Sequence, residues 1–261
     1  MPDSAFSLTG KVIIQFGGTG LLGRSLVASL ASAGATLVVA SRNRASLADL
    51  AAAEQAAGRA VHVEEVDIGS ESSLQALRDR VLTAHGQVDG IVFNAVSRSM
   101  KGYGDALDTW AASMATNATG FFATVRTFGD AMAASGRGGS IVNIASMMGM
   151  VGMNPWVYEG TNMGASPDYF FHKGGMINLT RYLASYYGAQ RVRVNVVSPG
   201  GIYNPAKPQA AAFLERYGKL TMLGRMADAR EVGGAVVFLL SDASTYITGA
   251  NLPVDGGYTA K

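Results

Sequence analysis

Short β-branched runs alternate with longer amphipathic stretches, and that alternation constrains the fold of this chain more than any other feature. Residues 12–16, 37–40, 61–66, 91–94, 140–145, 192–198 and 251–254 read as strands. Between them, residues 22–33, 46–57, 70–85, 109–134, 169–187 and 228–240 carry Ala, Leu and Met at helical spacing. Antiparallel neighbours need only a tight turn, whereas parallel strands need a crossover about as long as a helix. The repetition therefore predicts a parallel sheet. Val12-Ile13-Ile14 is apolar on both sides, as a strand covered on both faces must be. Right-handed crossovers then give a doubly wound α/β fold: one domain over residues 1–261, a mainly parallel seven-stranded sheet with helices on both faces. Residues 149–168 and 200–209 read as long loops, which in such a domain are functional or mobile.

The 33 glycines are nearly twice the usual share of about 7%. They follow no Gly-X-Y period and accompany only 7 prolines, so collagen and low-complexity linkers are excluded. With 48% hydrophobic and 15% charged residues, the chain is not disordered. A formal charge of +2 with scattered basic residues argues against nucleic acid as a partner. Cysteine is absent, which removes disulfides, thiolate ligands and Cys nucleophiles. His62, His85 and His172 lie far apart without ligand spacing; no metal site is expected, and each is placed on a surface or at an element end. Residues 1–10 lack the pattern of a signal peptide and no apolar run approaches about 18 residues, so a cytoplasmic protein without a membrane partner is expected.

Some of the glycines have a task. Phe16-Gly17-Gly18-Thr19-Gly20-Leu21-Leu22-Gly23 follows the first strand and opens the first helix, the context of a dinucleotide-binding (Rossmann) turn. Of Gly17, Gly20 and Gly23, one makes the tight turn, one lets the backbone approach a pyrophosphate and one lets helix and strand pack closely. An ordinary strand-to-helix turn would use the same residues. The end of the second strand bears on the cofactor, because an acid there holds the adenosine 2′-hydroxyl of NAD. The chain has Ser41-Arg42-Asn43-Arg44 instead. Ser41, Arg42 and Arg44 suit a 2′-phosphate, so NADP(H) is favoured, with NAD(H) as the alternative and a solvated loop as the bland reading. Asp67, after the third strand, is either an acceptor for the adenine amine or a turn residue.

Asn94-Ala95, Asn117, Ser146 after residues 139–145, Tyr169 with Lys173, Pro199-Gly200 and the tail Val254-Asp255-Gly256-Gly257-Tyr258 complete a pattern. In order and spacing the chain resembles a short-chain dehydrogenase/reductase over essentially its whole length. The resemblance implies a catalytic set of Asn117, Ser146, Tyr169 and Lys173. Tyr169 would be the general acid/base, Ser146 would hydrogen-bond the substrate oxygen, Lys173 would also grip the nicotinamide ribose, and Asn117 would support a relay water. The cofactor set it implies is Gly17, Thr19, Gly20, Leu22, Gly23, Ser41, Arg42, Asp67, Ile68, Asn94, Ala95, Tyr169, Lys173, Pro199, Gly200 and Ile202. Elementary electrostatics supports the pairing, since residues four apart share a helix face. A phenol titrates near 10, so acting as a base near pH 7 needs about 4 kcal/mol. One charge at about 4 Å supplies roughly that. Tyr158 is a weaker rival, because the residue four further on is Asn162.

The chain also departs from the family. Phe16 and Leu21 alter the glycine turn, Phe93-Asn94-Ala95-Val96 replaces Asn-Asn-Ala-Gly, and Tyr203-Asn204 stands where threonine is common. Ser146 and Tyr169 are 23 positions apart, roughly ten more than usual, which puts an insertion near residues 150–168. Its stretch Asn154-Pro155-Trp156-Val157-Tyr158-Glu159 resembles sugar, polyol and gluconate-dehydrogenase-like members. Ser146, Met148, Trp156, Tyr158 and Tyr203 are the candidate substrate residues, unless the insertion serves an interface or lid. The expected function is NADP(H)-dependent interconversion of a secondary alcohol and a ketone on a sugar, sugar acid or polyol. A 3-oxoacyl thioester reductase, with Arg98, Arg126 and Arg137 at its entrance, is the second enzyme reading. A nucleotide-sensing regulator without turnover is the non-enzyme reading. By resemblance the chain forms a homodimer or homotetramer.

Overall fold

In a computed structural model, which describes residues 5–261, the strands are β1 (Val12–Phe16), β2 (Thr36–Ser41), β3 (His62–Glu65), β4 (Gly90–Phe93), β5 (Gly139–Ile144), β6 (Val192–Pro199) and β7 (Asn251–Val254). They form one sheet in the order β3-β2-β1-β4-β5-β6-β7, with every pairing parallel. The helices are α1 (Leu21–Ser32), α2 (Arg44–Ala56), α3 (Glu71–His85), α4 (Leu107–Met114), α5 (Phe121–Ala134), α6 (Pro155–Tyr158), α7 (Pro167–Tyr187), α8 (Ala211–Leu220) and α9 (Gly233–Leu240).

The pleat of β1 divides the core in two. Val12, Ile14 and Phe16 join Leu74 and Leu77 of α3, Phe121, Val125 and Phe128 of α5, and Met176 and Leu183 of α7 on one face. Ile13 joins Leu26 and Leu30 of α1, Leu47 and Leu50 of α2, and Val236 and Leu239 of α9 on the other. Successive side chains of a strand point to opposite faces, so a doubly covered strand must be apolar at every step. Gln15 is the exception in β1. It is fully buried and donates from Nε2 to the Gly23 carbonyl at 2.9 Å, tying the strand to the first turn of α1. The order of the strands reverses between β1 and β4, and ligands of such sheets bind in the crevice at the strands' carboxyl ends beside that switch.

Three differences from the expected elements bear on the site. The stretch 109–134 is not one helix: α4 and α5 are joined by a π-helical segment, Ala115–Gly120. Helix α8 was not anticipated. The long loop of 149–168 contains α6, and Val157 of that helix packs with Met147 and with Phe213 and Tyr217 of α8 in a third apolar cluster. No helix among the described residues is long and apolar enough to cross a membrane.

Candidate active site

The three glycines of the turn differ in their surroundings. Gly17 has φ +82°, a conformation that favours glycine, and a Cβ there would stand 2.7 Å from the Ala95 backbone. Asn94 donates from Nδ2 to the Gly17 carbonyl at 2.7 Å, so the end of β4 holds the turn in place. A Cβ on Gly23 would lie 2.3 Å from the Gly17 carbonyl oxygen, which makes it the close-packing glycine. A Cβ on Gly20 would meet no described atom within 4 Å beyond its chain neighbours. Gly20 precedes α1 without a side-chain cap, and no acid occupies the first turn. The opening N–H groups of a helix have no intrahelical acceptor, and here no side chain neutralises them. This edge of the cleft is therefore built to receive an anion, and it fits the pyrophosphate of a dinucleotide.

A cleft of about 300 Å³ continues from the turn, lined by Thr19, Ser41, Arg42, Ile68, Asn94 and Ala95 among others. Leu22 turns its side chain into the core, leaving only its backbone near the turn. Asp67 accepts from Gly69 N at 3.0 Å, as a turn residue does, and lines a neighbouring groove with Arg42 and Arg44. Arg44 is committed to Glu65 at 3.1 Å, whereas the guanidinium of Arg42 is exposed and has no hydrogen-bond or ion-pair partner among the described residues. Pro199 ends β6, with Gly200 and Ile202 just beyond it. Gly200 packs against Asp255 and Tyr217, and Ile202 bridges to Ala227 beyond the end of β6.

The four expected catalytic residues converge on the carboxyl ends of β4 and β5. Ser146 follows β5, is buried, and accepts from Met148 N at 3.2 Å, so its hydroxyl hydrogen remains to be donated. Tyr169 and Lys173 stand one turn apart on α7, with Nζ 5.7 Å from the phenol ring centre. Lys173 is buried and donates to the Ile144 carbonyl at 2.6 Å, which fixes α7 to the strand that carries Ser146. Burial, with a smaller contribution from Arg98, lowers the lysine to about 7. Asn117 sits in the π-helical segment, whose wider turn directs its side chain inward. Its Oδ1 accepts from Ser97 N at 2.8 Å and its Nδ2 donates to the Ser97 carbonyl at 2.8 Å and to Ser113 Oγ at 2.9 Å.

Sequence reasoning missed the support behind this set. Ser113 donates in turn to the carboxylate of Asp168, a buried residue directly before Tyr169. Burial, the largest single influence, raises that carboxyl, but the hydrogen bonds from Ser113, Ser166 and the Tyr169 backbone, with His172 nearby, together hold the group below the usual carboxylate range. His172 is the second omission, and it corrects the expectation of a surface or terminal histidine. It is buried inside α7 with its ring edge-on to Tyr169 at 5.3 Å, and neither ring nitrogen has a hydrogen-bond partner among the described residues. Burial, with Lys173 nearby, lowers it to about 4, so it is a neutral packing ring. Asp168 and His172 are also four apart, a second pair interleaved with Tyr169 and Lys173; that spacing was the available signal. His62 and His85 pack ring to ring at 4.7 Å on β3 and α3, outside the site.

The substrate candidates do not all meet. Met148 and Tyr158 pack into the cluster under α8, where Tyr158 lies 5.4 Å from the Phe213 ring. Burial and the neighbouring Tyr258 and Tyr169 push the Tyr158 phenol up, which makes it a poor base. Trp156 lies under Arg216, which donates to the Trp156 carbonyl at 3.1 Å. Tyr203 lines a separate cavity beside α1 with Arg24 and Arg230. The insertion thus folds mainly onto α8, and the group standing over Tyr169 is Arg98, whose Cζ lies 5.4 Å from the ring centre.

Comparison with known proteins adds a chemical context. The family described as enoyl-(acyl carrier protein) reductase matches residues 20–259. The 2,5-dichloro-2,5-cyclohexadiene-1,4-diol dehydrogenase of Sphingobium indicum is 36% identical over 260 residues, covering 97% of this chain and 98% of the relative. D-threitol dehydrogenase of Mycolicibacterium smegmatis is 32% identical over 263 residues, covering 99% and 96%. A crystal structure of a gluconate 5-dehydrogenase from Burkholderia cenocepacia, in complex with NADP and tartrate, aligns with a TM-score of 0.86 at 28% identity, covering 98% of both chains.

Proposed function

The chain belongs to the short-chain dehydrogenase/reductase family and is an NAD(P)-dependent dehydrogenase acting on CH–OH groups; from that premise we propose that it prefers NADP(H) and interconverts a secondary alcohol and a ketone on a sugar, sugar acid or polyol. The observation that carries the catalytic part is the placement of Lys173, buried one helical turn from the half-buried Tyr169 phenol with its Nζ 5.7 Å from the ring centre. When bound, the nicotinamide supplies or takes up the hydride. The side chains deal with the proton. Tyr169 Oη gives it to the ketone oxygen or removes it from the alcohol, and a cation at Lys173 stabilises the phenolate left behind. Ser146 donates to the same substrate oxygen. Asn117, clamped by Ser97 and Ser113, supports the water through which the proton reaches solvent.

The cofactor preference rests on Arg42, unpaired among the described residues just past β2, whose end carries no carboxylate to meet a ribose 2′-hydroxyl, while Glu65 of the neighbouring β3 is taken up by Arg44. Arg42→Ala is expected to weaken NADPH about 10- to 100-fold, the usual worth of charge-assisted hydrogen bonds, with a much smaller change for NADH. Equal losses in a fluorescence titration would remove the 2′-phosphate role. Of the three arginines offered for a carrier-thioester entrance, Arg126 pairs with Glu71 at 2.6 Å and Arg137 precedes β5 at the opposite end of the sheet from Tyr169, which leaves Arg98 alone beside the site. A homodimer or homotetramer accords with Phe122 of α5 and Phe171, Tyr182 and Tyr186 of α7, all exposed. The overall reading is tested by nicotinamide absorbance with both cofactors across sugars, sugar acids, polyols and 3-oxoacyl thioesters. Turnover confined to thioesters would overturn it.

A further inference from the structure

We propose that Arg98 is the anion-binding residue of the substrate site, so that the reacting alcohol belongs to a small hydroxy acid whose carboxylate lies a few bonds from the carbinol. This rests on the reading of Tyr169 as the proton-exchanging residue and narrows its substrate class. Arg98 lies in the loop between β4 and α4, its side chain exposed and its guanidinium over the Tyr169 ring at 5.4 Å. A cation on an aromatic face gains modest energy and keeps its planar N–H edge for a second partner. Arg98 has no such partner among the described residues.

Its surroundings keep it unpaired. The acid of its own loop, Asp105, is bound to the backbone N–H of Lys101 at 2.6 Å and of Gly102 at 3.4 Å. Asp168, the acid beside Tyr169, is buried and bonded to Ser113. The nearest cations, Lys173 and Lys101, only add to the positive field, and Lys101 Nζ donates to the Arg98 carbonyl at 3.0 Å. The position of the loop is set by the site itself, because the preceding residue, Ser97, is held through both its N–H and its carbonyl by Asn117. An unpaired guanidinium on a loop tied to the catalytic amide is a preorganised fork for a carboxylate.

Distance selects the size of the ligand. A guanidinium stacked on the phenol lies within a few bond lengths of a carbinol bound to that phenol's oxygen, far too near for the phosphate of a long carrier arm. A bound anion would also offset the repulsion between Arg98 and Lys173, favouring the charged lysine once substrate is in place.

The test compares matched acid and neutral substrates, D-gluconate with D-glucitol and D-threonate with D-threitol, in the wild type, Arg98→Gln and Arg98→Lys. Tartrate binding by calorimetry is the readout that needs no turnover. The expected result is that the wild type favours the acid of each pair in kcat/KM, and that Arg98→Gln lowers the acid-to-neutral ratio about 10- to 100-fold while Arg98→Lys keeps part of it. Tartrate affinity should fall in parallel. Tartrate binding that depends on Arg98, with no turnover of any pair, upholds the anion site and overturns the dehydrogenase substrate reading. Turnover of either member of a pair with a ratio that ignores Arg98 overturns the anion site alone. So does tartrate binding that is absent or unaffected by Arg98→Gln.

Discussion

Tyr169→Phe is expected to lower turnover about 1,000-fold, in the middle of the range that general acid–base catalysis contributes, while leaving NADPH binding within a factor of about two or three. The substitution is clean. The hydroxyl of Tyr169 has no hydrogen bond to a described residue, so its removal leaves no buried group unpaired. The ring contacts persist in phenylalanine: His172 edge-on at 5.3 Å, Arg98 across the face at 5.4 Å and Lys173 at 5.7 Å. Melting temperature should therefore hardly change. A loss of turnover with cofactor titration and thermal melt preserved isolates the proton-transfer role, because a damaged fold or cofactor site would move all three. Turnover within tenfold of wild type would transfer that role to another group, and the raised Tyr158 phenol makes that residue a poor replacement.

What the residues foretold follows the range of the forces involved. Strands and most helices announced themselves through local periodicity, and the Tyr169–Lys173 pair through a four-residue spacing that any helix converts into proximity. The π-helical segment did not, because Thr116, Asn117 and Thr119 leave the apolar periodicity on either side almost unbroken. The extra residue is accommodated by tertiary bonds from Asn117 to Ser97 and Ser113, which no local pattern encodes. For the same reason Asp168 read as the last residue of a loop, although it ends a buried chain of hydrogen bonds. The insertion looked like a substrate loop because it is rich in aromatic and polar residues. Its Val157 and Tyr158 also pack onto α8, a contact between distant segments that no local pattern announces.

The glycine turn supplies the second large effect, and the contrast between two of its positions separates binding from stability. Gly23→Ala would set a methyl group 2.3 Å from the Gly17 carbonyl oxygen and 2.8 Å from the Gly18 carbonyl carbon. These are backbone atoms and cannot rotate away. Gly17 itself cannot yield, being fixed between the Ala40 carbonyl, which accepts from its N–H at 3.1 Å, and Asn94, which donates to its own carbonyl at 2.7 Å. Helix α1 must then move off β1, straining the Gln15 bond to the Gly23 carbonyl at 2.9 Å. Overpacking of this kind costs about 1–3 kcal/mol, and displacement of the N–H groups at the start of α1 should weaken NADPH by about 100-fold or more. Gly20→Ala differs in each respect. Its backbone, at φ −80° and ψ 176°, suits any residue, and nothing lies within 4 Å of the added methyl. The free protein should melt within a degree or two of wild type, yet a methyl group on the open edge of the turn would stand where the backbone must approach the pyrophosphate, so NADPH affinity should fall about 10-fold or more. Calorimetric melting of the free protein together with NADPH titration gives both numbers for each variant. Unchanged NADPH affinity in Gly20→Ala would take the pyrophosphate away from this turn, and a fall in stability there would show that Gly20, like Gly23, serves packing.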